Sequence, residues 1–222
     1  MRGTIVAAAA AMVMVATGAQ ASVQLVSNGD FSDGLNGWTD SGYNMVMTDG
    51  NVGSNNVYLW TEKSAGNGWN GLTASGTGGF VALDGDYDTG PISQTISGLK
   101  VGDDYRMTFN YAFSQQKGFY GDTTQHLNAS IDGASWTSAN YNLPSKGFSG
   151  WKSNTLTFTA NSTSATLSFL AYGNEPVPPF ALVSNVGVSA VPEASTWVMM
   201  LAGFGGLVLL ARTTARRKAA AA

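Results

Sequence analysis

The chain is 222 residues long, has no cysteine, and carries 14 acidic and 11 basic residues for a net charge of −3. The charge is unevenly placed: all 14 acids lie between Asp30 and Glu193, where six basic residues accompany them and leave that stretch at −8. So acidic a centre excludes nucleic acid and anionic lipid as its partners, and the missing cysteines exclude disulfides, thiolate nucleophiles and zinc–thiolate sites.

In chain order, residues 1–21 read as a signal peptide. Arg2 is the segment's one charge, Ile5 to Gly18 is uncharged, and Ala19-Gln20-Ala21 has the small-x-small form that signal peptidase cleaves. The exported protein then begins at Ser22.

Residues 22–190 form one domain, rich in Gly, Ser, Thr and Asn, with short alternating apolar runs in place of helical periodicity. That pattern predicts an all-β antiparallel sandwich. Tyr105, Met107, Phe109, Tyr111 and Phe113 alternate with mostly polar residues, so they predict a strand whose core face holds Tyr105. Leu127, Ala129 and Ile131 repeat the alternation and end at Asp132-Gly133, a hairpin turn pair. Leu156 with Phe158, and Leu167 with Phe169, flank Asn161-Ser162-Thr163-Ser164 and predict a second hairpin; Val186 and Val188 close the domain. Pro176, Pro178 and Pro179 stiffen the loop before that last strand.

Few residues in the domain suggest catalysis. Gly66-Asn67-Gly68-Trp69-Asn70-Gly71 matches a dinucleotide-type glycine string, but it neither follows an apolar strand nor opens a helix, so it reads as a surface loop. His126 is the one histidine and has no triad-like local signature around it. Asp84, Asp86 and Asp88 place carboxylates at alternate positions of a turn, the way oxygen ligands converge on calcium. Thr89 stands where an EF-hand needs glycine and Thr95 where it needs glutamate, so the alternatives are a one-loop structural calcium site on a β scaffold and a solvated acidic turn. Trp60, Trp69, Tyr120 and Trp136 lie in polar, glycine-containing surroundings and are candidates for stacking on the apolar faces of sugars. Trp38 and Trp151 instead read as plugs at the ends of the core.

Residues 191–218 make a third segment. Ala194 to Ala211 is uncharged over 18 positions, and Arg212, Arg216, Arg217 and Lys218 follow it. A transmembrane helix needs about 17–25 such residues, and the basic cluster stays cytoplasmic by the positive-inside rule, which turns the domain outward.

Val191-Pro192-Glu193, the glycine-containing apolar span and the basic tail stand in the order of the PEP-CTERM sorting signal, which the segment resembles; Ala194 departs from the family's second proline. The resemblance implies an exosortase, a membrane transpeptidase, that reads Val191, Pro192 and Glu193 and removes the helix, so that the protein passes from an inner-membrane-tethered intermediate to the cell-envelope surface or the extracellular matrix. Asn28-Gly29-Asp30-Phe31 with Gly37-Trp38, Phe80 to Gly85, and Ile96 through Leu99 and Gly102 to Tyr105 are similar, in their order, to carbohydrate-binding-module-like jelly rolls. The expectation is a jelly-roll-type antiparallel β-sandwich flanked by an N-terminal signal helix and a C-terminal transmembrane helix. Its function would be a non-enzymatic envelope or matrix protein binding polysaccharide. The alternatives are a carbohydrate-active hydrolase and an ice- or surface-adsorbing protein.

Overall fold

The computed structural model describes residues 23–48, 57–60, 79–174, 177–192 and 202–206. The signal-peptide segment, the glycine string with Trp69, Glu193 and the basic residues Arg212, Arg216, Arg217 and Lys218 lie outside the described residues. Of the apolar span only 202–206 is described, as a helical stretch, and among the described residues no helix is long and apolar enough to cross a membrane.

Eleven strands run through the described residues: β1 Thr39–Asp40, β2 Met45–Thr48, β3 Gly79–Asp84, β4 Ile92–Ser97, β5 Asp104–Gln115, β6 Thr123–Ile131, β7 Ala134–Thr137, β8 Tyr141–Leu143, β9 Lys152–Thr159, β10 Ser164–Tyr172 and β11 Pro179–Ala190. They form two antiparallel sheets, a sandwich as the alternation predicts. One sheet is ordered β1-β4-β10-β6-β7, with β8 also pairing to β6; the other is ordered β2-β3-β11-β5-β9.

Between the sheets the inward residues of β5 meet those of β10: the rings of Phe109 and Phe169 lie 5.0 Å apart at 74°, an edge-to-face pair. Tyr105, Met107, Phe109, Phe113, Leu127, Ala129 and Ile131 all belong to this core, so the two strands read from alternation face as expected. Asp132 and Gly133 both take positive φ, 47° and 82°. That is the backbone a two-residue hairpin needs to join β6 to β7 without fighting the strand twist.

Strand β3 is buried on both faces. Val81 and Leu83 point into the central core, while Phe80 and Ala82 join Met45, Met47, Phe180 and Leu182 in a second apolar cluster. Val57 and Leu59 cover that cluster from outside. The covering segment is held by backbone hydrogen bonds from Trp60 N–H to Gln115 C=O at 2.9 Å and from Lys117 N–H to Tyr58 C=O at 2.7 Å. Burial on both faces explains why β3 reads as an unbroken apolar run.

The second predicted hairpin does not form. β9 pairs with β5, whereas β10 pairs with β4 and β6 in the other sheet. The chain from Ala160 to Thr163 crosses between sheets beside a second crossing, 98–103, and the two are stitched together. Gly98 and Leu99 donate their N–H groups to Thr163 C=O, Gly102 donates to Ala160 C=O, and Ala160 donates to Asp103 C=O, all at 2.9–3.1 Å. Backbone groups that a hairpin would satisfy within itself are thus satisfied between neighbouring arches.

The Asn28-Gly29-Asp30-Phe31 motif closes one end of the sandwich. Asn28 and Phe31 take positive φ, 49° and 54°, and this turns the fully buried Phe31 ring to within 5.1 Å of Trp38. Trp38 Nε1 donates to Asn28 C=O at 3.1 Å. Trp151 packs against Phe80 and Phe148, so both predicted core-end tryptophans have structural roles.

Candidate functional site

At one end of the sandwich, the turn after β3 and the turn after β5 enclose a cleft of about 360 Å³. Tyr43, Tyr87 and Phe119 line it with rings, Asp86 and Gln116 with polar groups, and Phe180 is among its apolar contacts. Tyr87 is 83% exposed and Phe119 44% exposed, so two of the rings are open to solvent. The Tyr43 and Tyr87 rings meet edge to face, 6.5 Å apart at 81°.

The turn that carries Tyr87 is built around one carboxylate. Asp84, only 2% exposed, accepts the N–H groups of Asp86 and Tyr87 on one oxygen, at 3.0 and 3.2 Å, and that of Asp88 on the other at 3.2 Å. Asp84 N–H donates to Asn44 Oδ1 at 3.2 Å, while Asn44 Nδ2 reaches Asp40 Oδ1 and Gly90 C=O. Residues 84–90 are thereby laced to residues 40–44. The lacing requires glycine at two places: a Cβ on Gly90 would stand 2.3 Å from Ser41 O, and one on Gly42 would stand 2.4 Å from Gly90 N.

The opposite wall rests on Gln115, which is fully buried. Its Nε2 donates to Gly121 C=O, Thr123 Oγ1 and Leu143 C=O at 3.0–3.3 Å, and its Oε1 accepts Lys146 N–H at 2.8 Å. One amide therefore fixes both the 116–121 turn and the 143–146 turn. Gln116 N–H donates to Pro178 C=O at 3.0 Å, tying the cleft to the entry of β11.

The residues expected to form the site divide among different places. Asp84, Asp86 and Asp88 lie in one turn, but Asp84 gives its oxygens to backbone N–H groups, and no group of three His, Cys, Asp or Glu side chains able to hold a metal occurs among the described residues. Trp136 turns inward, its ring 5.5 Å from Phe109 and 5.1 Å from Tyr111, because it pairs with the inward Ala129 on β6. Trp60 is only 6% exposed and donates Nε1–H to Phe119 C=O at 3.3 Å. Tyr120 is 64% exposed, with the Lys146 ammonium 4.9 Å from its ring centroid and that same ammonium 5.6 Å from Trp60. Of the candidate rings, then, Tyr120 is the open one among those described, and it flanks the turn that carries Phe119. Tyr43, Tyr87 and Phe119 escaped sequence reading. Tyr87 could have been found, since an aromatic between two aspartates of a turn is well placed for exposure.

His126 lies on the outer face of β6, stacked on Tyr172 at 4.9 Å and 16°. Two other groups lie at the open edge between the sheets. Burial holds the Lys152 amine below its usual range and pushes the Tyr111 phenol up. Lys152 Nζ donates to Ser149 C=O at 3.1 Å and sits 4.5 Å from the Tyr141 ring.

No family model matches the chain, and no curated protein matches it. Among solved structures it is similar to a carbohydrate-binding module, TmCBM61, solved in complex with beta-1,4-galactotriose, at 16% identity over 77% of this chain and 100% of that one, with a TM-score of 0.44. The family 16 carbohydrate-binding module-2 gives 17% over 74% and 98%, at 0.37. The K3 adhesin domain of Lys-gingipain from Porphyromonas gingivalis gives 13% over 76% and 99%, at 0.42. The structural neighbours thus include carbohydrate-binding modules, but at these identities and scores no site residue is carried over from them.

Proposed function

We propose that the chain is an exported, non-enzymatic polysaccharide-binding protein of the cell envelope or extracellular matrix, and that the cleft between Tyr87 and Phe119 holds the sugar. The observation that carries this reading is the Tyr87 ring, 83% exposed on a turn immobilised by three hydrogen bonds to the Asp84 carboxylate. A pyranose presents apolar C–H faces and a rim of hydroxyls, so it suits rings flanked by a carboxylate and an amide, here Asp86 and Gln116. Hydrolysis of a glycosidic bond uses two carboxyl groups in distinct roles. Asp84 also lines the cleft, but it is buried and accepts three backbone N–H groups, so Asp86 is the more accessible of the two carboxylates, which favours binding over turnover.

Export and sorting belong to the same proposal, supported by the order of the signal-peptide pattern, Val191-Pro192-Glu193, the apolar span and the basic tail. Affinity electrophoresis of the protein through gels containing neutral polysaccharides tests the binding. Retardation by at least one polysaccharide is expected, reduced about tenfold or more in Tyr87→Ala; equal retardation of the variant would discard this cleft. Deleting residues 191–222 should move the domain from the membrane or surface fraction to the periplasm or medium, and unchanged fractionation overturns the sorting.

A further inference from the structure

The outer face of the β1-β4-β10-β6-β7 sheet has a composition its position does not demand. Strand register aligns Thr39 with Ser93, Ser93 with Ser168, Ser168 with Ser130 and Ser130 with Ser135. One row of five hydroxyls therefore crosses all five strands. Adjacent members stand about 4.8 Å apart, so the row is about 19 Å long. A neighbouring row pairs Thr95 with Thr166, their hydroxyls 2.9 Å apart.

Apart from Asp40 at the end of β1, which is exposed and accepts a hydrogen bond from Asn44, no Asp, Glu, Lys or Arg lies on these strands. An ordinary soluble surface carries about a quarter to a third of such residues, and the other sheet exposes Asp104 and Arg106. The face is also shaped: a groove of about 290 Å³ is lined by Pro91, Asn128, Ser130, Thr137, Ser168 and Leu170, among others. Within it Asn128 Oδ1 is buried and has no hydrogen-bond partner. A buried acceptor left unpaired costs about 1–3 kcal/mol and calls for a donor.

We infer that this face is a second carbohydrate-binding surface, taking a neutral, hydroxyl-rich polysaccharide laid across the strands along the serine row. The serine hydroxyls each donate and accept, so they match sugar hydroxyls in either sense. A row spacing close to the length of one pyranose in an extended chain lets successive residues meet successive strands. Leu170 and Pro91 offer apolar contact to ring faces, and a sugar hydroxyl supplies the donor that Asn128 Oδ1 lacks. Charge selects the class: the face has no cation to hold a uronate or sulfate, and the stretch from Asp30 to Glu193 carries −8, which repels polyanions. The surface is separate from the Tyr87 cleft and does not depend on it.

The test is depletion of the full chain from solution by insoluble cellulose, chitin and β-1,3-glucan powders, with alginate beads as the polyanion. It is run on the wild type, Tyr87→Ala, the Ser130→Glu/Ser168→Glu double variant, and the single variants Ser130→Glu and Asn128→Ala, each with its melting temperature. The expected result is adsorption to at least one neutral powder, weakened about tenfold or more in the double variant, measurably in each single variant, and less in Tyr87→Ala than in the double variant, with melting not lowered in the singles. Adsorption that survives the glutamates, adsorption lost only in Tyr87→Ala, preference for alginate, or thermal hysteresis without adsorption to any powder would each overturn it.

Discussion

The carboxylate of Asp84 accepts the backbone N–H of Asp88 at 3.2 Å, so the outer two acids of this turn are joined through the main chain. The same side chain holds Asp86 and Tyr87. It therefore positions a ring at the cleft while itself staying buried.

Replacing Asp84 by alanine should remove three charge-assisted hydrogen bonds at once. Such bonds contribute about 1.5–3 kcal/mol, and orphaned buried donors add to the cost. A loss of about 3 kcal/mol is expected, equivalent to a fall of about 6–12 °C in Tm for a domain of this size, accompanied by loss of retardation in polysaccharide gels. Asp88→Asn should leave both unchanged, because Asp88 contributes its backbone N–H to this network. Calorimetry and gel retardation together check the pair, and equal effects of the two substitutions would show that Asp84 has no special place.

The contrast between these two aspartates shows where sequence reading ends. Alternation identified β5 and β6 and their inward faces, because one buried and one exposed face impose a period of two on the residues. It did not identify the sheet to which β9 and β10 belong, since alternation fixes a face and not a partner. Spacing in the 84–88 turn pointed to a cation because carboxylates at alternate positions can converge. The turn is also held by Asn44, far away in sequence, which accepts from Asp84 N–H and donates to Gly90 C=O. Trp136 differs from its neighbours for a related reason: Ser135 and Thr137 point outward while its half-buried ring packs on Phe109 and Tyr111.

Gly29 carries a sharper stability prediction. A Cβ there would lie 2.0 Å from Val186 O and 3.0 Å from Val186 C, both backbone atoms that cannot yield as a side chain would. Gly29 also accepts the Val186 N–H at 2.8 Å through its carbonyl, so moving it away breaks the contact that seats the Phe31 plug on β11. Gly29→Ala should cost more than about 3 kcal/mol, read as a lower urea midpoint. Gly34→Ala, also next to the plug, meets no atom within 4 Å but sits at φ 60°, so a smaller loss of about 1 kcal/mol is expected there.

The open edge of the sandwich should respond to alkaline pH in two opposed ways. Burial lowers Lys152 below its ordinary value of 10.5. Between the lowered value and 10.5 the unfolded chain holds a proton that the native one has released, so this group makes stability rise with pH. Burial raises Tyr111 above 10.0. From 10.0 upward the native phenol keeps a proton that the unfolded one loses, so this group makes stability fall with pH. Lys152→Met should remove the rising contribution and Tyr111→Phe the falling one, measured as the difference from wild type in urea midpoints across that range. Parallel curves for wild type and both variants would show that neither group titrates differently on folding.

Gln115 links the binding end of the molecule to its framework, and its replacement should separate stability from site geometry. The side chain is fully buried and joins β5 to the 116–121 and 143–146 turns through four hydrogen bonds. Gln115→Leu keeps the volume and removes the amide partner of the Gly121 and Leu143 carbonyls and of the Lys146 N–H, while Thr123 Oγ1 keeps its bond from Gln125 Nε2, at about 1–3 kcal/mol for a typical unpaired buried group. The turns can relieve that cost by opening toward water. Their release should carry Phe119, Tyr120 and Lys146 away from Trp60, which the Lys146 ammonium approaches within 5.6 Å. The expected outcome is a Tm lowered by several degrees, faster amide exchange confined to residues 116–121 and 143–146, and weaker polysaccharide retardation, while Tyr87 on the opposite wall keeps its turn. Exchange that rises uniformly through the domain would instead mean that Gln115 supports the whole sandwich rather than this end of it.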